Sequence, residues 1–459
     1  MPDLTASRAG RLLGCRLPIV LAGMGGVARS ELAAATAAAG GFGFLGMVRE
    51  PPELIVREVE RVRALGATRF GVNIIPASTP PELLERQVQT IIDLGVPVVG
   101  LFWDIDAALV RRFIDAGIVV TYQVGSAAEA KAAADAGAAI IIAQGVEAGG
   151  HVRGKVPLRR LLPDVVAAVD VPVLAAGGLS AGGDLVTARA LGADGIVLGT
   201  ALMATTEAFA HDFHKQALLG KAAADTVLTT DFHINWPRDA HVRVLKTDVT
   251  EGGHGSPDAP ERIVIGDEEG RPIYLFSTDS PLRSMTGDFG AMALYAGTGV
   301  GRIHAIVPAA ERLAAIMAEA ESLLPTSSSA PMSESASAVC YAGEMSGAYM
   351  GHIEGEELTR AQQALSSALN AALRAVLARQ EAGEQPGFPD AAYPYAGWAL
   401  ALAAGPPEAV EGDLPQLQLS LLRQVGALVP RLPEGGTRTR LQKLLGFLQE
   451  QQIAAFQRA

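Results

Sequence analysis

The sequence predicts an α/β fold, a (β/α)8 TIM barrel with a lid insertion and a C-terminal all-α helical domain, and three observations carry that reading. Short apolar, β-rich runs recur every 20 to 30 residues between residue 18 and about residue 200. They lack the polar alternation of a half-exposed strand, so they suit parallel strands covered on both faces. Ala-rich amphipathic segments separate them, many with Ser or Pro at the start and Gly at the end, which is the βα rhythm. Eight such units close into a barrel. An open, doubly wound sheet is the alternative, but its first turn would carry GxGxxG, and LAGMGGVA does not fit.

In chain order the strand candidates are PIVLAGMGG from Pro18, FGFLGMV from Phe42, RFGVNII from Arg69, PVVGLFW from Pro97, IVVTYQV from Ile118, AAIIIAQG from Ala138, PVLAAGG from Pro172 and GIVLGT from Gly195. Helix candidates are SELAAATAAAG from Ser30, PPELLERQVQTIIDLG from Pro80, SAAEAKAAADAG from Ser126 and SAGGDLVTARALG from Ser180. Past Thr200 the rhythm changes. Residues 206–224 read as helical, and 225–290 form a long irregular excursion with a hairpin in RIVIGDEEGRPIYLF. An insertion of about 206–290 at the end of a barrel strand is expected near the mouth, as a lid. PAAERLAAIMAEAESLL reads as the closing helix, so the barrel domain spans 1–324. Residues 325–338 are a Ser/Pro-rich linker. Residues 339–459 carry apolar stripes at helical spacing, as at Leu365, Leu369, Leu373 and Val376, and predict a small helical bundle of packing or assembly role.

Composition narrows the function. The net charge is −12, with no run of Lys or Arg, which argues against a nucleic-acid or anionic-membrane surface. Two cysteines, Cys15 and Cys340, make no disulfide framework or CxxC metal pattern. No segment reaches the roughly 18 uninterrupted apolar residues of a membrane span, and the start MPDLTASRAGRLLG lacks a secretory h-region. A cytoplasmic protein acting on a small molecule is expected; whether it forms a homo-oligomer stays open.

In a barrel the chemistry sits on the loops after the strands, because side chains fill the interior. AAGG after the seventh strand, with Gly177 and Gly178, and LGT after the eighth, with Gly199 and Thr200, place bare backbone N–H groups where a phosphate can approach. Asn73, Gln123 and Gln144 are neutral amides at strand ends, offering both donors and acceptors to the edge of a heterocycle, or to a neighbouring loop. In AQGVEAGGHVRG, Gly149 and Gly150 let the chain pass close to a flat ligand and set His151 over the same mouth. His151 can take a proton from an acidic carbon or hydrogen-bond an anionic oxygen. Glu147, four residues upstream, supports the loop. The other histidines show no metal-ligand spacing beyond a weak HDFH pair, so no metal site is expected. They read as surface or lid residues, with His233 and His241 best placed to line a pocket.

PIVLAGMGG, FGVNIIP, TYQVGSAAEA, AQGVEAGGHVRG, PVLAAGGLS, LGT and YAGTGVGRI together resemble the nitronate monooxygenase, or 2-nitropropane dioxygenase-like, family over roughly residues 12–324. The resemblance implies an FMN-dependent barrel. FMN phosphate would lie on Gly177, Gly178, Gly199 and Thr200, and the flavin ring would meet Gly23, Met24, Asn73, Gln123 and Gln144. His151 would be the catalytic histidine. The implied reaction is oxidation of an alkyl nitronate or nitroalkane with O2 to a carbonyl compound and nitrite. The same fold also supports NAD(P)H-dependent flavin reductases acting on a quinone or enoyl thioester, and a flavin-binding scaffold with the helical tail as interaction module is the alternative of another class.

Overall fold

Runs of Val, Ile, Leu and Phe with no polar interruption become strands when helices can cover both of their faces. The computed structural model describes residues 4–5 and 7–323. The expected linker and helical bundle lie outside them. All eight expected strands form: β1 (Ile19–Leu21), β2 (Phe44–Gly46), β3 (Gly71–Ile74), β4 (Val98–Phe102), β5 (Val119–Val124), β6 (Ile140–Gln144) and, after a short β7 (Gly150–Val152) outside the barrel, β8 (Val173–Ala176) and β9 (Gly195–Leu198). They are parallel neighbours in the order β1-β9-β8-β6-β5-β4-β3-β2. A parallel bridge between Val20 and Phe42, with Leu21 N–H donating to the Phe42 carbonyl at 2.8 Å, joins the two ends and closes the barrel.

Successive side chains of a strand point to opposite faces, and two apolar clusters result. Val20, Phe42, Phe44, Val98, Ile140, Leu174 and Val197 fill one together with Ala9 and Leu13 of α1 (Arg8–Leu13). Phe42 and Phe44 meet edge to face at 5.1 Å. The other cluster lies between the strands and the outer helices α2 (Ser30–Ala38), α3 (Pro52–Ala64), α4 (Pro81–Asp93), α5 (Ala107–Asp115), α6 (Ala127–Ala136), α7 (Leu158–Ala168) and α8 (Gly182–Ala190). The helix ends follow local chemistry. Ser126 caps α6 by accepting from Glu129 N–H at 3.2 Å, and Gly137 ends it at φ 109°. Asp106 caps α5 by accepting from Leu109 N–H at 2.9 Å.

After β9 the chain forms the short α9 (Thr200–Met203) and then α10 (Asp212–Leu218). The expected helix over 206–224 is therefore shorter. Thr205 bridges to Val307 and Ala210 to Leu282, which holds the backbone before α10 extended, and Gly220 at φ 72° turns it afterwards. The excursion contributes two three-stranded sheets. β10 (Thr226–Thr229) and β11 (His241–Leu245) pair with β7 in the order β10-β11-β7. β12 (Val264–Glu268) and β13 (Arg271–Tyr274) make the expected hairpin, with β14 (Met285–Gly287) on its other edge. α11 (Ala309–Ser322) closes the fold, burying Leu313, Ile316 and Met317 in the outer cluster.

Candidate functional site

A cavity of about 520 Å3 opens at the C-terminal ends of the strands. Its walls hold Gly23 and Met24 after β1, Asn73 on β3, Gln123 on β5, Gln144 on β6, Gly149, Gly150 and His151 at β7, Gly177 and Gly178 after β8, and Gly199 and Thr200 after β9. Parallel strands around one axis bring these residues together from positions up to 177 apart in the chain, the separation of Gly23 and Thr200.

At the ends of β8 and β9, the N–H groups of Gly177, Gly178, Gly199 and Thr200 donate to no backbone acceptor among the described residues. Gly177 (φ 112°) and Gly178 (φ 70°) lie in the left-handed region, where only glycine is free of strain. A Cβ on Gly178 would come within 2.7 Å of Thr298 Oγ1 and 2.9 Å of Glu147 Cβ. Four unsatisfied donors, three of them on glycines, form a cradle that fits a phosphate. The YAGTGVGRI stretch braces it. Arg302 donates to the Gly178 carbonyl at 3.0 Å, to Ser180 Oγ at 3.0 Å and to Asp184 at 2.7 Å, while Thr200 Oγ1 accepts from Gly297 N–H at 3.0 Å. The sequence alone gave that stretch no position.

The three amides divide. Asn73 donates to the Gly100 carbonyl on β4 at 3.1 Å, and Gly23 has no room for a Cβ because Asn73 packs onto it. The Gln123 side chain, on the cavity wall, makes no hydrogen bond among the described residues, so its amide can meet a ligand. Gln144 donates to the His151 carbonyl at 2.8 Å and accepts from Arg153 N–H at 3.1 Å, so it fixes β7. Glu147 holds the loop as expected, accepting from Leu158 N–H at the start of α7 at 2.9 Å. Gly149 lines the cavity and has a second reason to be glycine. Its Cβ would strike the backbone of Ala296 and Gly297, so it permits loop packing. Gly150, at φ 76° with open space around it, makes the turn into β7.

His151 stands on β7, paired through the backbone with Val242 of β11. Its ring lies 3.7 Å from that of Trp236 and 5.6 Å from that of Tyr295. Nε2 is sealed from solvent and has no partner, and the same is true of Trp236 Nε1. Burial, reinforced by the nearby Arg49 charge, pushes the His151 pKa down to about 3, so the imidazole is neutral at physiological pH. Arg49, also on the cavity wall, has φ 58°, a conformation that costs a non-glycine residue about 1 kcal/mol. Its guanidinium donates to the Asn235 carbonyl at 2.8 Å and to Thr278 Oγ1 at 2.9 Å, both on the excursion. Neither Arg49 nor Trp236 carries a motif.

Among the remaining histidines, His233 and His241 do not line the cavity; Asn235 does. His214, expected near the surface, is fully buried on α10, with Nε2 against the Tyr295 carbonyl at 3.1 Å. Burial lowers its pKa to about 4. The unfolded chain, with an ordinary histidine near 6.5, then binds more protons than the native state between about pH 4 and 6.5. Stability from this group is complete above pH 6.5 and is lost on acidification, by about 3 kcal/mol at pH 4. Urea denaturation at pH 7 and pH 5 is expected to show a smaller acid loss in His214→Gln than in the natural chain. Equal losses would remove His214 as a source of acid sensitivity.

The family model described as nitronate monooxygenase matches residues 7–83 and 76–319. A curated relative, the (3aS,4S,5R,7aS)-5-hydroxy-7a-methyl-1-oxo-octahydro-1H-indene-4-carboxyl-CoA dehydrogenase of Rhodococcus jostii (strain RHA1), is 36% identical over 218 residues, which cover 48% of this chain and 61% of the relative. The chain thus spans less than two thirds of that relative's length. Among solved structures, FabK from Thermotoga maritima matches with a TM-score of 0.60 and 28% identity, over 69% of this chain and 96% of that one. The nitroalkane oxidase from Streptomyces ansochromogenes matches with a TM-score of 0.56 and 32% identity, over 69% and 99%. With a closed parallel barrel and the family model matching both the strand-end loops and the YAGTGVGRI segment that braces them, the chain belongs to the nitronate monooxygenase family.

Proposed function

We propose that the cavity holds FMN and that the chain is an oxidoreductase oxidising alkyl nitronates with O2 to a carbonyl compound and nitrite. The observation that carries the reading is a buried, unpartnered Nε2 on His151, which lines the same cavity as four backbone N–H groups that donate to no backbone acceptor among the described residues. Gly177, Gly178, Gly199 and Thr200 would hold the phosphate, and Asn73 and Gln123 would face the ring. FMN, when bound, supplies the electron transfer between substrate and O2.

The chain's own residues do the rest. Burial keeps His151 neutral, so its imidazole is a weak base but a sound hydrogen-bond partner for a substrate oxygen. This favours the nitronate, already ionised, over the neutral nitroalkane, which a base must first deprotonate. Gln144 fixes the strand carrying His151, and Trp236 and Tyr295 shield it from water. The likeness to a carboxyl-CoA dehydrogenase favours a second reading, a nicotinamide-linked enzyme acting on a thioester.

Anaerobic titration of the purified, flavin-loaded protein with propyl-2-nitronate and, in parallel, NADH separates the two. Bleaching of the flavin by the nitronate but not by NADH is the expected result. The reverse outcome gives the site to the thioester reading, and a colourless protein that FMN does not reconstitute ends both.

A further inference from the structure

The charges on the cavity wall are unevenly partnered. Glu50 is held by Arg29 at 3.2 Å, and Glu268 and Asp279 share Arg271 at 2.6 and 2.9 Å. Arg49 has no carboxylate within 4 Å among the described residues; its two bonds go to a carbonyl and a hydroxyl. A guanidinium carries five N–H donors, so most of its capacity is unspent. Its backbone is pinned in the left-handed region from both sides, because the buried Gln87 on α4 donates to the Met47 carbonyl at 3.2 Å and to the Glu50 carbonyl at 2.7 Å. Strain of that kind persists where surrounding structure enforces it, and it gathers at ligand sites. Arg49 lines the same cavity as His151, and its charge adds to burial in lowering the His151 pKa.

We infer that Arg49 and the unpartnered His151 Nε2 together form a subsite for a planar oxyanion, with Arg49 the residue that selects an ionised over a neutral substrate. The guanidinium supplies charge and a fork of donors, and the neutral imidazole supplies a single directed hydrogen bond to the same group. The identity of that group as the substrate nitronate rests on the function proposed above; the anion subsite itself does not.

Nitrite serves as the probe. It is titrated into the flavin-loaded full chain while tryptophan emission, to which Trp236 beside His151 contributes, and the visible spectrum are followed. A saturable change is expected in the natural chain. Its half-saturation should rise at least tenfold in Arg49→Met and less in Arg49→Lys, with the flavin still bound in both. Under anaerobic conditions the half-saturating concentration of propyl-2-nitronate should rise in the same order, with the limiting rate of bleaching within about threefold. A purely structural Arg49, tethering the excursion, would lower the melting temperature of both variants and leave anion affinity unmoved, which overturns the inference. So does the absence of any saturable nitrite effect in the natural chain. Nitrite binding that depends on Arg49, in a protein whose flavin no nitronate bleaches, upholds the subsite and removes only the nitronate reading.

Discussion

Replacing His151 by alanine is expected to lower turnover of an alkyl nitronate by about 10²- to 10³-fold, the usual cost of removing one preorganised donor from a reacting oxygen, while FMN stays bound. The flavin should survive because the cradle of Gly177, Gly178, Gly199 and Thr200 is built from other loops and takes nothing from the imidazole. Turnover should fall because Nε2 is sealed and unpartnered, and a substrate oxygen is the group that would complete it. The pH profile adds a second readout. With its pKa near 3, His151 does not titrate between pH 5 and 8. The natural enzyme should therefore show no inflection near 6.5 once the nitronate's own protonation is subtracted. An inflection there that vanishes in His151→Ala would mean that the imidazole titrates in the ordinary range, and the neutral-donor account would be wrong. Alanine leaving turnover within threefold would remove His151 from the chemistry altogether.

Much of this arrangement was legible in the sequence, for reasons that differ element by element. The eight strands could be read because a strand buried on both faces shows itself as an apolar run with no help from distant residues. The Gly177–Gly178 turn was visible because left-handed backbone demands a residue type. Gln144 was visible as a polar residue ending a strand, but its partners were not: its amide spends itself on the backbone of β7, and that geometry exists only once the 144–153 loop has folded back. Arg49 left no trace because arginine is an unremarkable residue after a strand; its significance lies in a φ of 58° enforced by Gln87 and in the missing carboxylate, both tertiary facts. Trp236 was hidden in an irregular excursion whose placement depends on β11 pairing with β7, residues about 90 apart in the chain. His214 misled because burial beside Tyr295 is a matter of packing, not of pattern.

The cradle proposed to hold the FMN phosphate supports the other large effect, and its donors are backbone N–H groups. Gly178→Ala forces a Cβ onto a residue at φ 70° and brings it within 2.7 Å of Thr298 Oγ1 and 2.9 Å of Glu147 Cβ. Glu147 cannot yield easily, since its carboxylate is bound to Leu158 N–H, and Thr298 is tied by its own N–H to the Glu147 carbonyl at 3.0 Å. The loop must therefore move, and the N–H groups of Gly177 and Gly178 would swing off the position proposed for the phosphate. FMN affinity is expected to fall by at least 10²-fold, and the protein to purify largely colourless. Gly220→Ala is the matched control, because Gly220 has φ 72° with nothing within 4 Å of its Cβ position and does not line the cavity. It carries the same backbone strain without the clash, so it should stay yellow. Riboflavin, which lacks the phosphate, gives a third arm. The natural chain should prefer FMN to riboflavin strongly, and Gly178→Ala should lose that preference while binding riboflavin nearly as before. A Gly178→Ala protein that keeps both its colour and its preference for FMN would show that the phosphate lies elsewhere, and the placing of the ring against Asn73 and Gln123 would fall with it.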